Sequence, residues 1–111
     1  MKIEEQKQGA VTVLRPIGPL TAEAATDMRG QLAGVNQRTM GRFVIDAGAI
    51  SFVDSLGLEV LVDMTDQLIA GGRVLKMCGA NDTLREVLQL TGLTASFEYY
   101  DDVNSAVRSF L

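Results

Sequence analysis

One segment, residues 44–58, constrains the fold of this 111-residue chain more than any other. It opens with a β-branched apolar run that ends at Asp46, crosses a loop of small residues, and reaches an Asp-Ser-x-Gly motif at residues 54–57. A long amphipathic helix follows. A short strand that is apolar on both faces is typical of the covered centre of an α/β sheet. The segment therefore predicts a strand–loop–helix unit with Ser55 at the amino end of its helix.

Apolar periodicity along the rest of the chain predicts alternating strands and helices in the order β-β-α-β-α-β-α-β-α. Such alternation requires right-handed crossovers within a largely parallel sheet. We expect one α/β domain over residues 1–111, with a mixed, mostly parallel sheet of four or five strands and about four helices. The strands are predicted near residues 2–7, 11–16, 43–45, 73–78 and 96–99, and the helices begin after Thr21, at Ser55, after Asn81, and after Asp101 or Asp102.

Turn and cap residues set the predicted boundaries of these elements. Gly18-Pro19 is predicted to stop the second strand, and Thr21 to cap the first helix through its hydroxyl. Gly34 and Asn36 are predicted to end that helix. Gly71-Gly72 is predicted to end the helix that starts at Ser55.

The helix from Ser55 carries an apolar pair on a side that is otherwise polar. At 100° per residue, Leu56 and Val60 are predicted to point away from the core-facing stripe. The pair allows two interpretations: a docking patch beside Ser55, or side chains that pack under a neighbouring loop or helix. The predicted core-facing stripe consists of Leu58, Leu61, Thr65 and Leu68. The polar side, which Leu56 and Val60 share, carries Asp63 and Gln67.

The absence of histidine from the sequence removes several kinds of chemistry. Ser-His-Asp and Cys-His catalysis, histidine-ligated zinc and imidazole acid–base work are all excluded. With no glycine-rich phosphate loop and no base near Ser55, we expect a protein that is not an enzyme and that needs no cofactor. Asp46 and Asp54 could hold Mg²⁺, but capping of loop N–H groups is the favoured interpretation, so no metal site is predicted.

Charge and hydropathy narrow the possible partners. The formal net charge is −4, with no run of Lys or Arg, so nucleic-acid binding is not expected. The polar start and the short apolar stretches predict neither a signal peptide nor direct membrane insertion. The single cysteine, Cys78, lies in an apolar strand and is predicted to be a buried thiol in a reducing, cytoplasmic compartment.

Several segments, in this order, match a known pattern: Val44-Ile45-Asp46, Ile50 to Leu58, Gly71-Gly72, Met77-Cys78-Gly79, Val87-Leu88, Leu90-Thr91-Gly92-Leu93 and the Asp-rich start of the last helix. Together they resemble the STAS domain family, of the anti-sigma factor antagonist type. The resemblance covers essentially the whole chain. It implies a right-handed βα superhelix with a mixed sheet.

The resemblance also implies a partner-switching function. The unphosphorylated protein would bind an anti-sigma factor serine kinase, which would phosphorylate the serine that corresponds to Ser55 and then be released. A PP2C-type phosphatase would restore the unphosphorylated form. The alternative is a non-switching STAS subunit that docks to a membrane transporter complex or a signalling assembly, with Ser55 as a plain helix cap.

Five residues around Ser55 are expected to contact the partner: Thr21, Asp54, Leu56, Gly57 and Val60. Two of them depart from the family pattern. Leu56 stands where a second Ser or Thr is usual, and Thr21 stands where an acidic residue is common. A competing interpretation gives Asp54 and Ser55 only a capping role and makes Gly57 a close-packing residue.

Overall fold

A computed structural model describes residues 1–111, apart from the side chain of Thr94. Six strands and four helices alternate along the chain, and a single 3-10 turn at Leu93–Ala95 precedes the last strand. The strands are β1 Lys2–Gln8, β2 Val11–Leu20, β3 Phe43–Asp46, β4 Ile50–Val53, β5 Leu75–Cys78 and β6 Phe97–Tyr100. The helices are α1 Ala22–Thr39, α2 Ser55–Ala70, α3 Asp82–Leu90 and α4 Val103–Arg108.

The strands form one mixed sheet in the spatial order β1-β2-β3-β5-β6. β1 and β2 form an antiparallel hairpin, and the β2–β3, β3–β5 and β5–β6 pairs are parallel. β4 pairs in parallel with the far end of β2, where Gly18 lies opposite Ile50 and Leu20 opposite Val53. The α/β class and the mixed sheet are thus confirmed, with one strand more than predicted.

Two sequence predictions about β2 and β4 are wrong for a shared reason. β2 continues through Gly18 and Pro19 to Leu20, and residues 50–53 form a strand rather than a loop. Gly18 has φ 102°, and the register of the β2–β4 pair shifts between Gly18 and Leu20. An irregularity of this kind accommodates a proline that cannot donate to the ladder. β2 can therefore bend past β3 and pair with β4.

The two faces of the sheet are covered unequally. Alternate residues of the central strands point to opposite sides, so Ile45 and Met77 join the core under α1, α2 and α3. Val44 and Cys78 lie on the other face, where the short α4 covers them through Ala106. Burial raises the pKa of the Cys78 thiol to about 12, so the predicted buried thiol is confirmed.

The helix ends are set by specific backbone groups. α1 does not end at Gly34 and Asn36, because Val35 is buried in the core and the helix continues to Thr39. Met40 follows in the left-handed conformation, with φ 55°. Asn81 caps α3 as predicted, since its Oδ1 accepts from the backbone N–H of Leu84 at 2.8 Å. Asp102, rather than Asp101, caps α4.

The helices fall short of the requirements of a membrane span. Among the described residues, no helix is both long and apolar enough to cross a bilayer.

Candidate functional site

All four helices begin at the same edge of the sheet, where the strands that precede them end. α1 follows β2, α2 follows β4, α3 follows β5, and α4 follows β6. The carboxyl ends of parallel strands are where α/β proteins usually place their functional groups. The β4–α2 junction, which carries the Asp-Ser-x-Gly motif, lies at this edge.

Asp54 joins two of these helix starts. Its Oδ1 accepts from the N–H of Gly57 at 2.8 Å, and its Oδ2 accepts from the N–H of Ala22 at 2.9 Å. Its own N–H donates to the carbonyl oxygen of Leu20 at 3.2 Å. The N–H of Gly57, followed by that of Ala22, holds the pKa of the Asp54 carboxyl below its usual value. Asp54 therefore caps α2 and ties it to the start of α1.

Thr21 does not cap α1 as predicted. It occupies the N-cap position, but its hydroxyl makes no capping hydrogen bond. The carboxylate of Asp54 supplies the acceptor for Ala22 instead, from 32 positions further along the chain. The side chain of Thr21 stays half-buried beside this junction, and its part in partner binding remains a prediction.

Gly57 is buried because α2 begins in direct contact with β2. A Cβ built at Gly57 would lie 2.1 Å from the carbonyl oxygen of Leu20, which is backbone and cannot move aside easily. The glycine thus allows the close approach of the helix to the strand. Its geometry favours the close-packing interpretation over an exposed contact with a partner.

Ser55 is the first residue of α2 and is exposed. Because Asp54 takes the capping role, the hydroxyl of Ser55 is not needed to satisfy the helix end. The side chain sits at the amino end of α2, where the helix dipole favours a negative charge, although Asp54 already accepts the N–H of Gly57.

Leu56 and Val60 do not share an exposed face. Leu56 is 49% exposed, whereas Val60 is only 1% exposed, so the outward placement predicted for Val60 is wrong. α1 packs alongside α2, and Arg29 of α1 pairs with Asp63, which is one turn beyond Val60. Val60 therefore lies under the neighbouring helix and cannot form part of an exposed patch. Leu56 lies in the first turn and remains exposed.

Phe52 is a surface residue that the sequence did not lead us to expect. It lies on β4 and is 50% exposed, although it is a large aromatic side chain. Because residues 50–53 were predicted to be a loop, we did not expect a strand with an exposed Phe52. The available signal was the apolar run 50–53, with a phenylalanine three residues before Ser55. Exposed apolar side chains thus precede and follow the serine.

Asp46, at the end of β3, is engaged in local contacts. Its Oδ1 accepts from the N–H of Gly48 at 3.0 Å, and its Oδ2 lies 3.5 Å from Nε of Arg15. Asp46 and Asp54 thus both accept loop or helix N–H groups, as the favoured interpretation has it. Within the described residues, no group of three or more His, Cys, Asp or Glu side chains is placed to hold a metal ion.

The family model described as "STAS domain" matches residues 2–106. The chain belongs to the STAS domain family. This confirms the resemblance seen in the ordered motifs. The match spans β1 to the middle of α4, and it therefore includes the whole site around Ser55.

Several similar proteins are named as anti-sigma factor antagonists, and one similar structure is that of a sulfate transporter family protein from Wolinella succinogenes, with a TM-score of 0.76 at 20% identity, covering 90% of this chain and 84% of the other. BtrV of Bordetella bronchiseptica, provisionally named an anti-sigma factor antagonist, is 24% identical over 110 residues, covering 99% of this chain and 95% of its own. A Thermotoga maritima protein with the same provisional assignment superposes with a TM-score of 0.87 at 20% identity, covering 96% of this chain and 92% of the other.

A further similar structure is that of SpoIIAA from Bacillus in its phosphorylated form. It superposes with a TM-score of 0.74 at 18% identity, covering 99% of this chain and all of the other. At these identities the superpositions show a shared fold. The STAS domain of this chain therefore keeps its architecture across relatives that have diverged widely in sequence.

Proposed function

We propose that this chain is an anti-sigma factor antagonist whose binding to an anti-sigma factor serine kinase is switched off by phosphorylation of Ser55. A PP2C-type phosphatase would reverse the modification. The exposure of Ser55 in the first turn of α2, on a corner fixed by Asp54, is the observation that carries the proposal. BtrV and SpoIIAA are both described as anti-sigma factor antagonists, which supports the class of function.

The domain itself should tolerate a phosphate on Ser55. Phosphorylation adds about −1.5 to −2 charges at neutral pH. The dipole at the start of α2 favours an anion there. Asp54 opposes the new charge, but its oxygens already accept two backbone N–H groups. We therefore expect local electrostatic change with little refolding.

A bound partner should tolerate the phosphate much less. Phe52 and Leu56 place apolar surface on either side of Ser55 in the chain, so a protein docked here would remove the serine from water. An uncompensated charge buried in an interface costs about 3–5 kcal/mol. A penalty of that size weakens a complex by about a hundredfold or more.

The proposal is tested with three forms of residue 55. Ser55→Ala, Ser55→Asp and a protein carrying phosphoserine at position 55 would be titrated calorimetrically into a purified anti-sigma kinase encoded in the same genome. We expect Ser55→Ala to bind like the wild type and the phosphorylated form to bind about a hundredfold more weakly. Ser105→Asp is the matched control, since it adds a charge on α4, across the sheet from α2.

Two results would contradict the switch. Mass spectrometry after incubation with the kinase and ATP should find phosphate on Ser55, and its absence, with a control substrate phosphorylated, would refute the assignment. Equal affinity of Ser55→Ala and Ser55→Asp would instead favour a constitutive subunit of a transporter complex or signalling assembly.

The apolar part of the interface has its own test. Leu56→Asp should weaken kinase binding by about tenfold or more, because it places a charge within a desolvated contact. Ile69→Asp is the matched control, since Ile69 is also 49% exposed and lies at the other end of α2. Unchanged binding by folded Leu56→Asp protein would exclude Leu56 from the interface.

A further inference from the structure

The end of the sheet opposite Ser55 carries a row of positive charge. Lys7, in β1, is paired in register with Thr12 of β2, which in turn lies beside Phe43 of β3. Arg42 immediately precedes β3, and Arg73 lies two residues before β5. The three cations therefore line the end of the sheet where the parallel strands β3 and β5 begin. We call Lys7, Arg42 and Arg73 the basic end.

The cations of the basic end make no ion pair in the described chain, although Lys7 is near enough to Glu5 to help lower the pKa of that carboxyl. Within the described chain, no ion pair involves Lys7, Arg42 or Arg73, whereas nearby Arg38 is paired with Glu5 at 2.8 Å. The three line a depression of about 560 Å³ in which no acidic side chain takes part. In a chain of net charge −4, this local excess of positive charge is a marked asymmetry.

The arginines are held in place by the backbone around them. A Cβ at Gly41 would lie 2.3 Å from Cδ of Arg73, so the stem of Arg73 rests directly on the glycine. The N–H of Arg73 donates to the carbonyl oxygen of Leu68 at 2.7 Å. The carbonyl oxygen of Arg42 accepts from Thr12 at 3.1 Å. These contacts fix the backbone of both arginines and the side-chain stem of Arg73, which reduces the entropy lost when a ligand binds.

Met40 adds an exposed apolar side chain to the same depression. It is 70% exposed and is the one residue other than glycine with positive φ in the described chain. A left-handed position after a helix is normally filled by glycine, which avoids the steric cost of a Cβ. Within the isolated domain, the exposed methionine gains little packing to offset that cost. A contact with a bound partner would give it a role.

We propose that the basic end is a second docking surface, which binds an acidic protein segment with apolar side chains between its carboxylates. The guanidinium groups of Arg42 and Arg73 suit carboxylates, which they can bind in a bidentate manner. An adjoining depression of about 400 Å³ shares Arg42 and is lined by the apolar Val107 and Phe110. Apolar side chains of the segment would lie there and against Met40.

An acidic protein segment fits better than other anionic surfaces. Binding of anionic membranes typically requires clusters of about four to eight Lys or Arg residues. Nucleic-acid binding requires a basic domain with several phosphate contacts. Three unpaired cations around a shaped, partly apolar depression match a short peptide.

The basic end lies far enough from Ser55 to act independently. α2 runs from Ser55 to the turn before Arg73, and its 16 residues span about 24 Å. Exposed charges so far apart are largely screened at physiological ionic strength. A partner could therefore stay bound at the basic end in both phosphorylation states of Ser55.

The test is an NMR titration of the ¹⁵N-labelled protein with a dodecapeptide of alternating glutamate and leucine. We expect saturable shifts of the amides of Gly9, Met40, Arg42 and Gly72, which weaken as salt rises from about 50 to 300 mM. The double variant Arg42→Gln/Arg73→Gln should lose about tenfold in affinity. Arg85→Gln is the matched control, since Arg85 stacks on Tyr99 elsewhere in the fold.

Two further variants sharpen the result. Met40→Gly should fold at least as stably as the wild type, because glycine favours the left-handed conformation. It should nevertheless bind the peptide more weakly, which would show that the Met40 side chain contacts the peptide and is not needed for folding. Ser55→Asp should bind the peptide unchanged, whether or not it still binds a kinase. Failure of the kinase experiment and failure of this one are therefore distinguishable.

Several outcomes would overturn the proposal. Shifts confined to the Ser55 end, equal shifts with a lysine–leucine peptide, or unchanged affinity of the double arginine variant would each exclude the basic end. Tighter, arginine-dependent binding to phosphatidylglycerol vesicles than to the peptide would assign the surface to a membrane instead.

Discussion

At the residue scale, two residues near Ser55, Asp54 and Gly57, fix the corner on which it sits. Asp54 accepts N–H groups from two helices, and Gly57 lets α2 touch the backbone of β2. The sequence predicted the motif and its place on a helix, because both follow from local residue types. It could not predict that Asp54 would replace Thr21 as the acceptor for α1, because that bond joins residues distant in the chain.

Gly57→Ala tests the close packing at this corner. The added methyl group would clash with the carbonyl oxygen of Leu20, so we expect a loss of about 1–3 kcal/mol in the free energy of unfolding. Gly34→Ala is the matched control, because Gly34 lies within α1 and a Cβ added there would meet nothing within 4 Å. That variant should gain about 0.5–1 kcal/mol. Urea denaturation measures both, and equal stabilities would contradict the packing argument.

Asp54 also predicts a pH dependence of stability. The hydrogen bonds from the backbone N–H of Gly57 and then of Ala22 lower the pKa of Asp54 in the folded protein. The carboxylate therefore stabilises the fold at pH values above its unfolded pKa of about 4. That contribution is lost as the pH falls through the lower folded pKa. Asp54→Asn should therefore show a shallower loss of stability than the wild type between about pH 5 and pH 3. Parallel curves from urea titrations at each pH would contradict this assignment.

At the element scale, helix positions were predicted better than helix surroundings. α2 runs from Ser55 to Ala70 as its periodicity indicated, yet Val60 is buried under α1, which was one of the two interpretations that the periodicity left open. A helical wheel gives the direction of a side chain and not what lies beside it, and α1 covers that side. β4 was missed for a related reason, since four residues are too few to separate a strand from an apolar loop.

Lys76 of β5 contacts the residues that directly follow the C-terminal helix α4. Nζ of Lys76 lies 2.7 Å from Oγ of Ser109, 3.1 Å from Oε1 of Glu98 and 4.4 Å from the ring centre of Phe110. Lys76→Met removes the charged contacts but keeps most of the side-chain length. We expect faster amide hydrogen exchange in α4, with Lys2→Met, on exposed β1, as the control. Unchanged protection of α4 would show that apolar packing alone holds it.

At the scale of the whole molecule, the sheet has the short helix α4 on one face and the three helices α1, α2 and α3 on the other. Cys78 lies between the sheet and α4, and burial raises its pKa to about 12. A raised folded pKa stabilises the protein below the unfolded pKa, near 9, and this stabilisation is lost as the pH rises towards 12. The native thiol should react with iodoacetamide at about pH 8 far more slowly than the thiol of urea-unfolded protein. Comparable rates would mean that the α4 layer opens readily.

The bond network of Asp54 has a kinetic consequence. Because Asp54 is hydrogen-bonded to the starts of both α1 and α2, we expect the backbone around Ser55 to keep its conformation when a phosphate is added or removed. The domain then adds no relaxation step of its own to the proposed cycle. The rate of the cycle would be set by the turnover of the kinase and the phosphatase and by the dissociation rate of the partner.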